Sequence, residues 1–255
     1  MGKVIAIDGP SGAGKGTIAK LLARKLGFSY LDTGALYRVV ALALREKGIE
    51  PDDSDEKILA VLKCITITLK DGKVFLKENS ELRTLASALL GESARTLNAN
   101  PPLPPFVKGG EGGFDRDVSE LIRSTETGHY SSVFSAKKVV RDFLLDIQRS
   151  ASLNADLVAE GRDMTTVVFP DAWKKFYLDA SVEERAKRRY LQLKEKGINI
   201  TESEAKKDVV ERDVRDSGRD IAPLRKADDA VLIDSSSMTI NKVLENILKV
   251  VRADH

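Results

Sequence analysis

Residues 9–17 read Gly-Pro-Ser-Gly-Ala-Gly-Lys-Gly-Thr and directly follow the apolar run Val4-Ile5-Ala6-Ile7 and Asp8. Strand, glycine-rich loop, then helix is the order that a phosphate cradle needs. Glycines let the backbone wrap an anion with several N–H groups pointing inward. The following helix aims its positive end at the same place. Lys15 adds a point charge for β- and γ-phosphates. The candidate contacts are therefore Gly9, Pro10, Ser11, Gly12, Ala13, Gly14, Lys15, Gly16 and Thr17. Gly16 stands where this loop pattern expects a hydroxyl, and Thr17 supplies the hydroxyl one position later. Thr17 is the candidate ligand for a nucleotide-bound metal ion, directly or through a water. A turn that merely joins a strand to a helix is the bland alternative. The agreement of loop, lysine, hydroxyl and flanking elements weighs against it.

Transfer of a phosphoryl group needs charge neutralisation and positioning more than a covalent nucleophile. Arginines should therefore gather round the phosphates, and Arg38, Arg162, Arg212 and Arg219 are the candidates. Arg162 lies in a Gly-Arg-Asp turn at the end of an expected strand. Arg212, Asp216 and Arg219 are spaced by four and seven, which puts all three on one helix face if the helix persists that far. Charge periodicity by itself favours the commoner reading, an exposed, ion-paired helix.

The elements that must position these residues can be read from the pattern. Ile18, Leu21, Leu22 and Leu26 predict a first helix over 15–26, with Gly27 as its stop. A strand over 28–32 leads to Thr33-Gly34 and a second helix ending near Gly48. Asp53 with Glu56 predicts a capping box for a helix through Leu62. The period then changes: Ile65, Ile67 and Leu69 alternate with polar residues, and Asp71-Gly72 predicts a hairpin turn into 73–77. Helices are predicted over 135–152, from Ser181 to Lys196, from Thr201, and over 239–252. Core strands start near residues 4, 28, 157, 176 and 231. Their alternation with helices predicts a parallel sheet covered on both faces, with ligands at the carboxyl ends of the strands.

The stretch from about 79 to 114 differs from its surroundings. Four of the eight prolines fall within 101–105, and Gly109-Gly110-Glu111-Gly112-Gly113 follows. It predicts a long loop, with a proline-motif docking site as the sharper alternative.

Composition sets the frame. The chain has 255 residues, 31% charged and 42% hydrophobic, with net charge +2. This is the balance of an ordinary water-soluble globular chain, and so small a charge gives no ground for nucleic-acid binding. No apolar run is long enough to span a membrane. Residues 1–8 read as a core strand and not as a signal peptide. The single Cys64 reads as a small core residue in a reducing, cytoplasmic setting. His129 and His255 read as surface residues and offer no histidine metal site.

Five motifs now stand in order: Asp8-Gly-Pro-Ser-Gly-Ala-Gly-Lys-Gly-Thr17, Leu31-Asp-Thr-Gly-Ala-Leu-Tyr-Arg38, Glu160-Gly-Arg-Asp-Met164, Val167-Val-Phe-Pro-Asp171 and Glu211-Arg-Asp-Val-Arg-Asp216. Together they resemble the bacterial cytidylate kinase family over nearly the whole chain except the 79–114 block. The Gly-Lys-Gly-Thr variant of the loop is similar to that of kinases acting on nucleoside monophosphates. The resemblance implies an α/β fold: a P-loop NTPase-type parallel five-stranded sheet covered by helices, with an inserted small antiparallel monophosphate-binding region at 64–130 and a short lid at 200–222. It implies one kinase domain over 1–255, a monomer. It implies transfer of the γ-phosphoryl group of ATP to CMP or dCMP with Mg²⁺.

The resemblance also carries roles. Lys15, Arg162 and Arg219 would be catalytic. Thr33, Arg38, Ser132, Arg141, Arg162, Asp163, Arg212 and Asp216 would bind CMP. Asp163 would accept from the cytosine amino group, Arg141 and Ser132 would serve the acceptor edge of the base, and Arg212 and Asp216 would face the ribose. A carboxylate for an amino group and an arginine or hydroxyl for ring acceptors is also what the base's own chemistry demands. Other readings stay open here: a small-molecule kinase for shikimate or another nucleoside monophosphate, a nucleotide-dependent switch, or a relative disabled by the 79–114 block. The Gly-Arg-Asp-Met and Glu-Arg-Asp sets speak against a different acceptor. The lack of an Asn-Lys-x-Asp motif speaks against a guanine-dependent switch.

Overall fold

The computed structural model describes residues 2–70, 72–79 and 115–253. The expected loop at 79–114 lies outside the described residues except for Asn79, as do Asp71 and His255. The chain divides into two compact units, Met1–Gly34 with Arg141–His255, and Ala35–Val140.

The first unit is built on a parallel sheet. Its strands are β1 (Val4–Asp8), β2 (Ser29–Asp32), β6 (Leu157–Gly161), β7 (Lys174–Asp179) and β8 (Val231–Asp234), in the order β2-β6-β1-β7-β8. These are the five strands expected from the sequence. All five residues of β1 are buried, which is why it reads as an unbroken apolar run ending in one carboxylate. Helices α1 (Lys15–Leu26) and α8 (Ile240–Arg252) contribute Ile18, Leu22, Val243, Ile247 and Val251 to a core with Ile5, Ile7, Phe176 and Leu178. Each such side chain contributes about 1.5–3 kcal/mol by leaving water. Helix α1 stops at Gly27, as expected.

Helices α6 (Val182–Glu195) and α7 (Glu202–Gly218) follow β7. Ser181 caps α6, and Thr201 with Glu204 forms a full capping box on α7. The two helices are joined by Arg189–Asp208 at 2.9 Å and Lys206–Glu183 at 3.1 Å.

Register decides where the site can form. Asp8 pairs with Gly161 on one side and with Tyr177 on the other, and Asp32 pairs with Glu160. The carboxyl ends of β1, β2 and β6 therefore finish level. Gly9 leaves β1 at φ +151°, and a Cβ there would lie 1.9 Å from the Leu178 carbonyl oxygen. Only glycine lets the chain turn away from β7 at this point.

The second unit holds most of α2 (Thr33–Glu46), α3 (Asp55–Lys63), an antiparallel sheet in the order β3-β4-β5, and α4 (Thr125–Phe134). Strands β3 (Ile65–Lys70) and β4 (Lys73–Glu78) form the expected hairpin, with Ile65, Ile67, Val74 and Leu76 buried. The end of helix α2 is tied to this sheet through Glu46–Arg116 at 2.8 Å, and the next residue through Lys47–Glu78 at 2.8 Å. Arg45 stacks over the Tyr130 ring of α4 at 4.1 Å.

Three local expectations are corrected. The cap of α3 is Ser54, not Asp53, because the helix starts at Asp55 and Ser54 takes the extended cap backbone. Asp53 instead accepts from Glu50 N at 2.9 Å and pairs with Lys57. Helix α5 runs Lys138–Ser150 and not from 135, because Ser135 closes α4. Cys64 is half-buried at the end of α3, donating to Ala60 O, and not a full core residue. Helix α4 and the two-residue strand β5 (Arg116–Asp117) had no counterpart in the sequence reading.

Gly9→Ala should therefore cost at least about 3 kcal/mol, since a backbone carbonyl cannot yield. Gly27→Ala, at φ +70° with nothing within 4 Å of the new methyl, should cost only about 1 kcal/mol. Urea denaturation of both variants checks the contrast, and similar losses would refute the close-approach argument.

Candidate active site

The phosphate loop connects Asp8 at the end of β1 to α1. Gly14 takes the left-handed conformation that opens the helix. Lys15 is buried, and its Nζ donates to Pro10 O at 2.8 Å, so the ammonium lies back over its own loop. Burial first, and the neighbouring Arg162 second, pull it down to about 7, while Glu160, Asp216 and Asp8 pull the other way. Thr17 is exposed on the first turn of α1.

The loop is braced from α6 and α7 by residues that the sequence reading missed. Arg185 donates from Nε to Ala180 O at 2.9 Å and from Nη1 to Ser11 O at 3.0 Å. It also pairs with Asp213 of α7, whose Oδ1 accepts from Ser11 N at 3.2 Å. Arg188 donates to Ala13 O at 3.3 Å and, from Nη2, to Ser235 O at 2.8 Å. Arg185 and Arg188 are a spacing of three in a charged helix, a pattern that solvated helices share. Nothing in it marks the buried member.

The turn after β6 carries the acceptor-side candidates of this unit. Gly161 is required by close packing, since a Cβ would meet Thr33 Oγ1 at 2.8 Å and Met164 Cε at 2.9 Å. Arg162 donates from Nε to Asp216 Oδ2 at 2.7 Å. Burial alone would pull its guanidinium down, but Asp216, then Glu160 and Asp213, outweigh that and hold it above its ordinary value. Burial pushes the Asp216 carboxyl up, yet Arg162, Arg219 and Arg212 together hold it below the usual carboxylate range. Asp163 is buried and its Oδ2 pairs with Arg141 of α5, itself buried. The Thr33 hydroxyl donates to Glu160 O at 2.7 Å, fixing the β2–α2 junction to β6.

Arg219 requires a correction. Helix α7 ends at Gly218, and Arg219 sits in extended backbone just beyond it. The turn back brings its Nη1 within 3.8 Å of Asp216 Oδ1, while its Nε donates to Ala222 O at 2.9 Å. Arg162, Arg219 and Asp216 thus do come together, though not along one helix face. Arg212 lies half-buried on α7. Arg38 and Ser132 belong to the second unit. Arg38 is half-buried on α2, and its guanidinium has no hydrogen-bond or ion-pair partner among the described residues. Of the neighbouring serines, Ser131 and Ser135 are buried and Ser132 is half-exposed.

Among the described residues no three His, Cys, Asp or Glu side chains form a metal cage. A magnesium ion that keeps waters and nucleotide oxygens needs only one or two protein donors. Thr17 and Glu160 fit that requirement. Glu160 Oε1 lies 3.3 Å from where a Gly16 Cβ would stand, one residue from Thr17. No helix among the described residues is long and apolar enough to cross a membrane.

This assembly is a loop for phosphates beside a turn bearing a paired arginine and a paired carboxylate. A family profile described as "Cytidylate kinase" matches residues 5–103 and 113–253. The chain belongs to the cytidylate kinase family. It is 47% identical over 258 residues to the cytidylate kinase of Thermodesulfovibrio yellowstonii, covering 100% of both chains. It is 44% identical to that of Thermosipho melanesiensis, covering 97% of this chain and 96% of the relative. It is 43% identical to that of Geobacter sulfurreducens, covering 98% and 93%. The family accounts for the parallel five-stranded sheet with a small antiparallel one.

A lysine near pH 7 in the free protein should gain a proton when the triphosphate settles beside it. ATP binding at pH 8 should therefore take up close to one proton, read by calorimetry in buffers of different ionisation enthalpy. Lys15→Met should take up none. Equal uptake by both proteins would remove Lys15 from the triphosphate.

Proposed function

We propose that this chain transfers the γ-phosphoryl group of ATP to CMP or dCMP, giving ADP and CDP or dCDP. The observation that carries the reading is the pairing of two halves on adjacent strand ends. The phosphate loop leaves β1, and the Arg162-Asp163 turn leaves β6, its parallel neighbour. One supplies N–H groups and an ammonium for the donor. The other supplies a guanidinium and a carboxylate for the acceptor.

The roles follow from the chemistry. Residues 9–17 hold the triphosphate, and Lys15 neutralises charge between the β- and γ-phosphates. Arg162 and Arg219 are already turned toward one carboxylate, and an acceptor phosphate competes with Asp216 for them. Asp163 has Oδ2 engaged by Arg141, and Oδ1 accepts nothing among the described residues. That oxygen suits the N4 amino group of cytosine. Arg141 and Ser132 serve the base's acceptor edge, Arg212 and Asp216 face the ribose, and Thr33 and Arg38 complete the acceptor phosphate contacts. Thr17 and Glu160 would help to hold Mg²⁺, which would supply further charge neutralisation. Region 64–130 receives the monophosphate and region 200–222 is the lid. The chain works as a cytoplasmic monomer, and it uses neither a nucleic acid nor a membrane partner.

The test is ADP release, coupled to a dehydrogenase readout, across CMP, dCMP, UMP, AMP and shikimate. CMP and dCMP should be used at least tenfold more efficiently than the rest. Preference for shikimate or AMP would overturn the reading. Lys15→Ala should lose at least tenfold in kcat. Asp163→Asn should raise KM for CMP more than tenfold with ATP affinity within about twofold. Equal losses for both substrates would assign Asp163 to folding the turn.

A further inference from the structure

Asp8 joins both halves of this site. It is fully buried, at the end of β1 and one peptide before Gly9 opens the phosphate loop. Its Oδ1 accepts from Met164 N at 2.9 Å, and its Oδ2 accepts from Thr165 N at 2.7 Å and Thr165 Oγ1 at 2.6 Å. Met164 and Thr165 directly follow Arg162 and Asp163. The carboxylate thus fastens the start of the acceptor-side turn to the residue from which the donor loop springs.

Three further observations give this contact its weight. Asp8 has no ion-pair partner among the described residues, so a charge is buried on hydrogen bonds from a single turn. Two N–H groups and a hydroxyl could have been met by a neutral side chain or by backbone at less cost to folding. The turn also has no slack, because Met164 packs against Gly161 so closely that a methyl would not fit. Its far end is held too: Arg149 of α5 donates to Val167 O at 3.0 Å and Val168 O at 3.1 Å. Arg162 and Asp163 lead directly into a turn that is pinned at both ends, and group transfer needs its groups placed to within a fraction of an ångström.

We propose that Asp8 is a positioning residue that sets the acceptor-binding turn at a fixed place relative to the phosphate loop, without itself touching either substrate. This rests on the reading of residues 162–163 as the acceptor side. A residue that only stabilised the fold would change the melting temperature and leave the kinetics of the folded enzyme alone. A residue that linked the two halves would leave ATP binding intact and damage the use of the acceptor. Asp8→Asn keeps the volume but must turn an amide NH₂ toward at least one of the three donors.

The experiment uses the full chain. The acceptor panel is first run on the wild type, and all comparisons are then made on whichever acceptor it uses best. A wild type that prefers another acceptor would refute the CMP reading and still allow Asp8 to be judged. Asp8→Asn should lose at least thirtyfold in kcat/KM for the acceptor, with the ATP dissociation constant, measured alone by calorimetry, within twofold. Thr165→Val, which removes one of the three hydrogen bonds, should lose about three- to tenfold, and Thr165→Ser should restore most of it. A normal acceptor kcat/KM in folded Asp8→Asn overturns the proposal, as does an equal loss in ATP affinity. Should Asp8→Asn fail to fold, Thr165→Val decides: wild-type kinetics there also overturn it.

Discussion

Lys15, Arg141, Arg162 and Arg219 are cations held largely out of water at the carboxyl edge of a parallel sheet, and each depends on carboxylates of the same chain. Asp163 answers Arg141, Asp216 answers Arg162 and Arg219, and Glu160, Asp216 and Asp8 offset the burial of Lys15. Ions removed from water are tolerated only when paired and hydrogen-bonded. Strand order must therefore bring these residues from distant parts of the sequence to one level. The parallel register of β1 with β6 does this, α7 brings Asp216, and the return of the chain after α7 brings Arg219 to the same carboxylate. The arginines at this edge thus already have anionic partners.

The donor loop is held by similar means. Arg185 and Arg188 reach from α6 to loop carbonyls, and Asp213 reaches from α7 to the Ser11 N–H. A glycine-rich loop is entropically loose, and such struts reduce the freedom it must lose when phosphates bind. They also tie the helix carrying Arg212 and Asp216 to the loop that carries Lys15. The phosphate loop and the turn after β6 are thus linked twice in the first unit, once through α7 and once through Asp8.

Local rules explain what could be read in advance. The loop, α1 with its stop at Gly27, and the caps at Ser181 and Thr201 depend on residues within one turn of each other. Strands β1 and β6 were legible because they are buried along nearly their whole length and so read as apolar runs. Helix α4 was not, since its ten residues carry Gly128 and four Ser or Thr residues and show no clear apolar stripe. Strand β5 is two residues long and exists only because β4 offers it an edge. The Asp53 cap failed by one position, where two adjacent residue types could each have served.

The sequence by itself determined the phosphate loop, the class of fold and the candidate chemistry, because these follow from residue type and short spacing. The family resemblance in five ordered motifs came from the same source. Which charges face one another was decided only by tertiary structure. Asp8 reads as an ordinary strand-end carboxylate until Met164 and Thr165 are seen on it, 156 and 157 positions away. Arg185 reads as one more cation on a solvated helix until burial sets it against Ser11 and Asp213. Arg219 reached Asp216 through a turn that helix periodicity could not foresee. Burial and ion pairing depend on distance in space, and a charged residue carries no local mark of the partner that the fold will bring to it.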